Sequence, residues 1–565
     1  MGDSLKLRTG GQHVVDALLA QGTDRVFGVP GESYLDVLDA LHAQQHRVRF
    51  ITCRHEGAAA FMAEAHGKLT GSPGICLVTR APGAANASIG VHTAFQDSTP
   101  LILLIGQVGR DMMEREAFQE VDYRQMFGPI AKWVAQIDDV SRVAEFMMRA
   151  YAVALSGRPG PVVLALPEDM LTDSAPAAPS QRVVVAPSGR LTPSELAPLQ
   201  QALAQAHKPL LLLGGSTWSD AGLQDIRAFA TRQQIPLACA FRRQDLCDNR
   251  HDSYVGEVGI GINPELAQAI RDCDLLLAVG TRLGEIVTSG YTLLEVPLPR
   301  QTLVHVMPAA EELGRVYQSA ISLQSSLDGF AQACASLEPV AAPDPAARSA
   351  WQQKLRASYQ RYIEPPWRDV RLDPARVITC LRERLELDAI VTNGAGNYSA
   401  WAHRYHQFSS PRCQLAPTSG AMGYGVPAAI AAKLHAPQRQ VICLAGDGCF
   451  LMTSQELATV RQNRLAIVFI VFNNGMYGTI RMHQETHYPG HMLGTDLCNP
   501  DFVAYAASFG IGGERVEHND GFAPALDRAL ACTGAYLIEL SIDPEVLSPR
   551  ATLSGLRQAA LRASA

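Results

Sequence analysis

No stretch of this 565-residue chain is apolar for long enough to cross a bilayer: runs such as PLILLIGQ stop after a few residues, where a spanning helix needs about 20. A basic run or arm is also missing. Lys and Arg number 48 against 55 Asp and Glu, for a net charge of −7, which makes nucleic acid a poor partner. The twelve cysteines never form a CxxC or a Cys/His metal spacing. Cys76 and Cys443 fall inside apolar runs, where thiols pack, and this usage suits a reducing, cytoplasmic compartment. The opening MGDSLKLRTGG lacks the apolar core of a secretory signal, and Lys6 stands where myristoylation wants Ser or Thr, so an untargeted start is expected. No short repeat is visible. What remains, 47% hydrophobic and 18% charged, is the composition of a soluble globular enzyme long enough for two to four domains.

Three blocks alternate β-rich runs with helical stretches. Residues 1–175 contain RVFGVPGE, VRFITCRHE, GICLVTRAPG, PLILLIGQ and PVVLALPEDM, each closed by Gly, Pro or a polar tip. The Ala/Pro/Ser-rich TDSAPAAPSQRVVVAPSGR reads as a linker. Residues 190–338 contain PLLLLGGS and CDLLLAVGTRLG, and a second Pro/Ala linker, EPVAAPDPAARSA, follows. Residues 351–565 carry IVTNGAG, VICLAGDG, IVFIVFNNG and YLIELSID. This rhythm predicts an α/β protein of three doubly wound domains, each a parallel sheet covered by helices.

The most informative residues lie in the last block. Gly446-Asp447-Gly448 ends one apolar run, and Asn473-Asn474 ends the next, with TSQELATVRQN between them. That is one βαβ unit, whose crossover brings both polar tips to the same carboxyl edge. Singly, Asp-Gly and Asn-Asn-Gly are turn signals. As a pair, a carboxylate and an amide carbonyl are hard oxygen ligands for a Mg²⁺ that also holds phosphate, and the glycines admit phosphate close to the backbone. Here the chain resembles the thiamine-diphosphate enzymes, whose signature is GDG, a spacer of this length and NN. The resemblance implies that Asp447, the Asn474 side chain and the Met476 carbonyl hold Mg²⁺. It implies too that Gly446 and the backbone of Gly448 and Cys449 line the diphosphate.

By the same resemblance, Glu56, which follows the run FITCRH and opens an Ala-rich helix, hydrogen-bonds N1′ of the aminopyrimidine. The imino form so favoured takes the proton from thiazolium C2. Read without the family, Glu56 is a carboxylate complementing a helix macrodipole. In SGAMGYGVPAAIAAKL, the backbone of Gly420 and Met422 would bind the pyrimidine, and Met422 would hold the cofactor bent. Asn397 and Tyr398 in NGAGNYS would touch the diphosphate. The chain resembles the acetohydroxyacid synthase and pyruvate oxidase branch over essentially its full length, and AFQE and AKW resemble that branch specifically: Gln119 would stabilise a developing oxyanion, Phe118 would line the pocket, and Lys132 would lie near substrate.

Departures from the family are as informative. Where relatives read TSGPGATN, Thr79 to Asn86 here read TRAPGAAN. Thr79 and Asn86 remain cofactor candidates, and Arg80 adds a cation that could attract a carboxylate or phosphate. After Asn473-Asn474, where the synthases carry a tryptophan for the second 2-oxo acid, His483 stands. In the central block Arg282 of GTRLGE matches a flavin-holding arginine, but HVMPAAEE lacks the acid expected after its strand, so FAD and an empty nucleotide site both stay open. The resemblance implies decarboxylation and carboligation of a small 2-oxo acid such as pyruvate. Sites would be shared between protomers of a homodimer or homotetramer. Flavin-linked pyruvate oxidation, aldehyde carboligation, 2-hydroxyacyl-CoA cleavage and a non-catalytic scaffold are the alternatives.

Overall fold

The computed structural model describes residues 7–179 and 181–564, which leaves Lys6 and the start of the first block outside the described residues. The chain divides into two compact units. One comprises the chain up to Ala186 together with Thr418–Pro437 and Thr453–Leu465; the other holds Pro187–Pro417, Gln438–Met452 and Ala466 onward.

The first unit is built on a six-stranded parallel sheet ordered Arg49–Thr52, Arg25–Gly28, Gly74–Val78, Leu101–Gln107, Pro161–Pro167, Trp133–Gln136. Its middle strands are covered on both faces, which is why GICLV, LILLIGQ and PVVLALP are near-continuous apolar runs without alternation. A short antiparallel pair, Leu7–Thr9 with Ser174–Pro176, stands apart from it. The helix Glu56–Thr70 is buried almost throughout and packs on Ala81–Asp97 and Gly425–His435. Alanine and glycine permit this approach: a Cβ on Gly90 would fall 2.3 Å from that of Ala60.

Two further six-stranded parallel sheets form the second unit. One runs Tyr254–Val258, Leu237–Ala240, Pro209–Leu213, Leu275–Val279, Thr302–Met307, Ile321–Gln324; numbered along the chain this is 3-2-1-4-5-6, the order of dinucleotide-binding folds. The other runs Gln414–Leu415, Ile390–Asn393, Val441–Gly446, Val468–Asn473, Tyr536–Ser541, Gly512–Val516, or 2-1-3-4-6-5. The first unit's sheet has the same 2-1-3-4-6-5 order, so two sheets share one wiring although their sequences show no repeat. Three doubly wound parallel sheets are the fold class expected from the sequence. Among the described residues no helix is long and apolar enough to cross a membrane, and all twelve cysteines are free.

Candidate active site

In the second unit, the strands Val441–Gly446 and Val468–Asn473 lie side by side and parallel, with Gly446 opposite Phe472. Both polar tips therefore share one edge, as the βαβ reading requires. Asp447 is buried. Its Oδ1 accepts from the Gly448 N–H at 2.8 Å, and its Oδ2 accepts from the Gly475 N–H at 2.9 Å and the Asn499 amide at 2.8 Å. Burial pushes its carboxyl above the usual range, against the pull of these N–H groups. The donors are uncharged, so the carboxylate gains from a cation placed beside it. Asn474 Oδ1 takes a long 3.3 Å contact from the Met476 N–H. Asp447, Asn474 and the Met476 carbonyl thus offer oxygen donors alone, a set that fits Mg²⁺ and not a softer metal.

Supporting residues hold this edge in place. Asn473 passes its amide to Glu539 at 2.8 Å and accepts from Asn499 at 2.9 Å. Asn499 bridges both motifs. It escaped the sequence reading because LCNP has no periodicity or spacing to single it out. The Tyr398 hydroxyl is taken by the Gly394 N–H at 2.9 Å and Cys449 Sγ at 3.3 Å, and its ring packs on Gly446, where a Cβ would come within 2.9 Å. Asn397 accepts from the Thr479 hydroxyl at 2.9 Å. Met476 packs with Leu547 and Leu553, so the segment carrying those leucines backs the loop that holds Met476.

The first unit places Glu56 at the opening of the helix Glu56–Thr70, where His55 Nδ1 caps the Gly57 N–H at 3.0 Å. Glu56 Oε2 accepts from the Asn86 amide at 2.9 Å. Thr79 shares a hydroxyl hydrogen bond of 2.9 Å with Ser33, which fastens the FGVPGES turn to the next strand exit. Gly420 is exposed at φ +70°, with nothing within 4 Å of a built Cβ, and Met422 beside it is half-buried. This open backbone fits a flat heterocycle laid against it, and the Glu56 carboxylate fits a ring nitrogen.

The weaker substrate candidates fare differently. Arg80 is buried, and its guanidinium reaches Glu32 at 3.1 Å and Glu168 at 2.6 Å, so its charge is met within the chain. The Lys132 ammonium donates to the carbonyls of Val153 and Ser156, both at 2.5 Å, closing the end of the helix Val143–Leu155. His483 is exposed and stacks on His487 one turn along the helix Gly478–His487. Gln119, at φ +67°, accepts the Ala81 N–H through its carbonyl at 3.2 Å, which brings it beside the strand exit that carries Thr79. Phe118 next to it is 73% exposed. Glu114, Glu116 and Gln119 all adopt left-handed backbone, a strain concentrated where binding loops form.

Comparison with known proteins agrees with this geometry. Models of the thiamine pyrophosphate enzymes match in order: the N-terminal TPP binding domain over residues 8–126, the central domain over 196–334 and the C-terminal TPP binding domain over 394–540. Acetolactate synthase isozyme 2 large subunit of Escherichia coli K12 is 32% identical, over 94% of this chain and 95% of that protein. The acetolactate synthase large subunit of Parasynechococcus marenigrum is 32% identical over 94% and 87%, and the probable acetolactate synthase large subunit of Methanocaldococcus jannaschii 30% over 96% and 93%. With all three domains matched in sequence order and relatives aligned over almost their full length, the chain belongs to the thiamine pyrophosphate enzymes of the acetolactate synthase family.

Proposed function

We propose that this protein joins two molecules of a small 2-oxo acid, pyruvate in the first instance, into an acetohydroxy acid. For pyruvate the balance is two pyruvate anions and one proton giving acetolactate and CO₂. The observation that carries the reading is the set of features described above: oxygen donors at Asp447, Asn474 and Met476, a carboxylate at Glu56 held by Asn86, and the open Gly420 backbone. The relatives named above are acetolactate synthases, which favours carboligation over the lyase, oxidase and scaffold alternatives.

Thiamine diphosphate, when bound, supplies a nucleophilic carbon and an electron sink that the amino acids lack. The chain's residues do the rest. Asp447, Asn474 and the Met476 carbonyl would hold Mg²⁺, with Gly446 and the backbone of Gly448 and Cys449 close to the diphosphate. Glu56 would hold a proton at N1′, with Asn86 orienting its carboxylate; the backbone of Gly420 and Met422 would fix the pyrimidine. Gln119 would donate to the oxyanion that develops on the substrate, from a loop that also carries Phe118.

The functional division we adopt is a pyrimidine-binding part in 1–175, a central part in 190–338 and a diphosphate-binding part in 351–565. Completing a site would need a second copy, hence a homodimer or homotetramer. Free cysteines are consistent with a reducing cytoplasm. Against a flavin in the central part, Arg282 Nε donates to the buried Glu312 at 3.2 Å, and Met307-Pro308 closes the strand Thr302–Met307 without an acid. The test is product analysis after incubation with pyruvate, thiamine diphosphate and Mg²⁺, with and without FAD. Acetolactate formed equally in both supports the reading; pyruvate left unconsumed refutes it.

A further inference from the structure

Two buried carboxylates in the first unit hold backbone amides far from their own sequence. Glu456 is fully buried. Its Oε1 accepts from the N–H groups of Arg54 at 2.8 Å and His55 at 3.0 Å, while Oε2 accepts from the Thr459 hydroxyl at 2.6 Å. Asp97 closes the helix Ala81–Asp97 and is also buried. Its Oδ1 accepts from the N–H groups of Thr418 at 2.8 Å and Ser419 at 3.3 Å, and from the Thr418 hydroxyl. Each carboxylate therefore grips two successive amides that lead into the pyrimidine-side machinery. Arg54 and His55 precede Glu56; Thr418 and Ser419 precede Gly420 and Met422.

The two grips correspond in topology. Arg54 and His55 follow Arg49–Thr52, the second strand along the chain in its sheet, and Thr418 and Ser419 follow Gln414–Leu415, the second strand in the other sheet of the same order. Asp97 and Glu456 each come from the stretch that follows the third strand, Gly74–Val78 in one case and Val441–Gly446 in the other. A carboxylate after the third strand of one sheet thus holds the exit of the second strand of the other, in both directions. Burying carboxylates costs more than burying the neutral acceptors that could serve the same N–H groups. Asp97 is compensated by Lys68, which also reaches Glu64 at 3.2 Å; Glu456 is held on N–H and O–H donors.

We propose that Glu456 and Asp97 are positioning residues: Glu456 locks the backbone leading into Glu56, and Asp97 locks the backbone leading into the Gly420–Met422 turn, so that each meets an aminopyrimidine already in place. This rests on the reading of Glu56 given above. Proton transfer between held groups is steeply sensitive to placement, so loosening either grip slows it without touching the diphosphate ligands.

The test uses the full-length protein with thiamine diphosphate and Mg²⁺, and needs no substrate. It reads amide hydrogen exchange at Arg54 and His55, and the rate at which bound thiamine diphosphate exchanges its C2 hydrogen for deuterium. Glu456→Ala is expected to speed exchange at both amides and to slow C2 exchange by about 10–100-fold, with calorimetric affinity for thiamine diphosphate preserved. Glu456→Gln keeps an acceptor oxygen for both amides and is expected to restore most of the rate. If the alanine variant does not fold, Glu456→Asp, one methylene short of its partners, is read in its place with the same expectation. An undiminished C2 rate in the folded variant overturns the proposal, as does a glutamine variant no better than alanine. Glu56→Gln is run beside them: wild-type C2 exchange in that variant would remove the assignment of Glu56 itself, an outcome distinct from failure of the Glu456 variants.

Discussion

At the scale of single residues, the carboxylates divide by their surroundings. Glu56 keeps one amide partner and lies half-buried, whereas Asp447 is enclosed by N–H donors. Glu56→Gln is expected to abolish turnover, a loss of at least about 10²-fold, with the thermal unfolding midpoint unchanged; turnover near wild type would remove Glu56 from the mechanism. Asp447→Ala is expected to remove the Mg²⁺-dependent part of thiamine diphosphate affinity, and calorimetry with and without Mg²⁺ checks this. Lys132 belongs with the structural residues. Its ammonium satisfies carbonyls at a helix end, so Lys132→Met is expected to cost about 1–3 kcal/mol of stability with KM for pyruvate unchanged; a raised KM with intact stability would return it to the substrate pocket.

At the scale of elements, the C-terminal helix Leu553–Ser564 is docked on the helix Gly478–His487 by charge as well as apolar contact. Buried Glu485 takes Arg557 through both oxygens, and Arg481 at 3.2 Å. Arg557 foremost, with the Gly490 N–H and Arg481, holds the Glu485 carboxyl down to about 2 from an ordinary 4.5. Because the folded value lies below the unfolded one, this stabilisation is complete above about 4.5 and is lost as the pH falls toward 2. Hydrogen exchange across Leu553–Ser564 is therefore expected to stay slow down to about 4.5 and to quicken below it. Glu485→Gln is expected to quicken it already at neutral pH, and equal protection in that variant would contradict the pairing.

At the scale of the molecule, the sequence made the three sheets legible because buried parallel strands are written as aliphatic runs such as PVVLALP and IVFIVF. The shared edge of Asp447 and Asn474 was legible too, because both sit at strand ends at a spacing that one crossover dictates. Partners chosen by folding left no local trace. That Arg80 would be spent on Glu32 and Glu168, or that Glu456 would reach Arg54 and His55 across some four hundred residues, depends on contacts no sequence window contains. The repeated 2-1-3-4-6-5 order was hidden as well, because topology survives where residue identity does not.

The measurement that bears most directly on the account is the product formed from pyruvate by the wild-type protein and by Glu56→Gln, in parallel, with thiamine diphosphate and Mg²⁺ but no FAD. One acetolactate and one CO₂ for every two pyruvates consumed by the wild type, and neither from the variant, is the expected outcome. Acetolactate from both proteins, or pyruvate consumption that begins only when FAD is added, would contradict it.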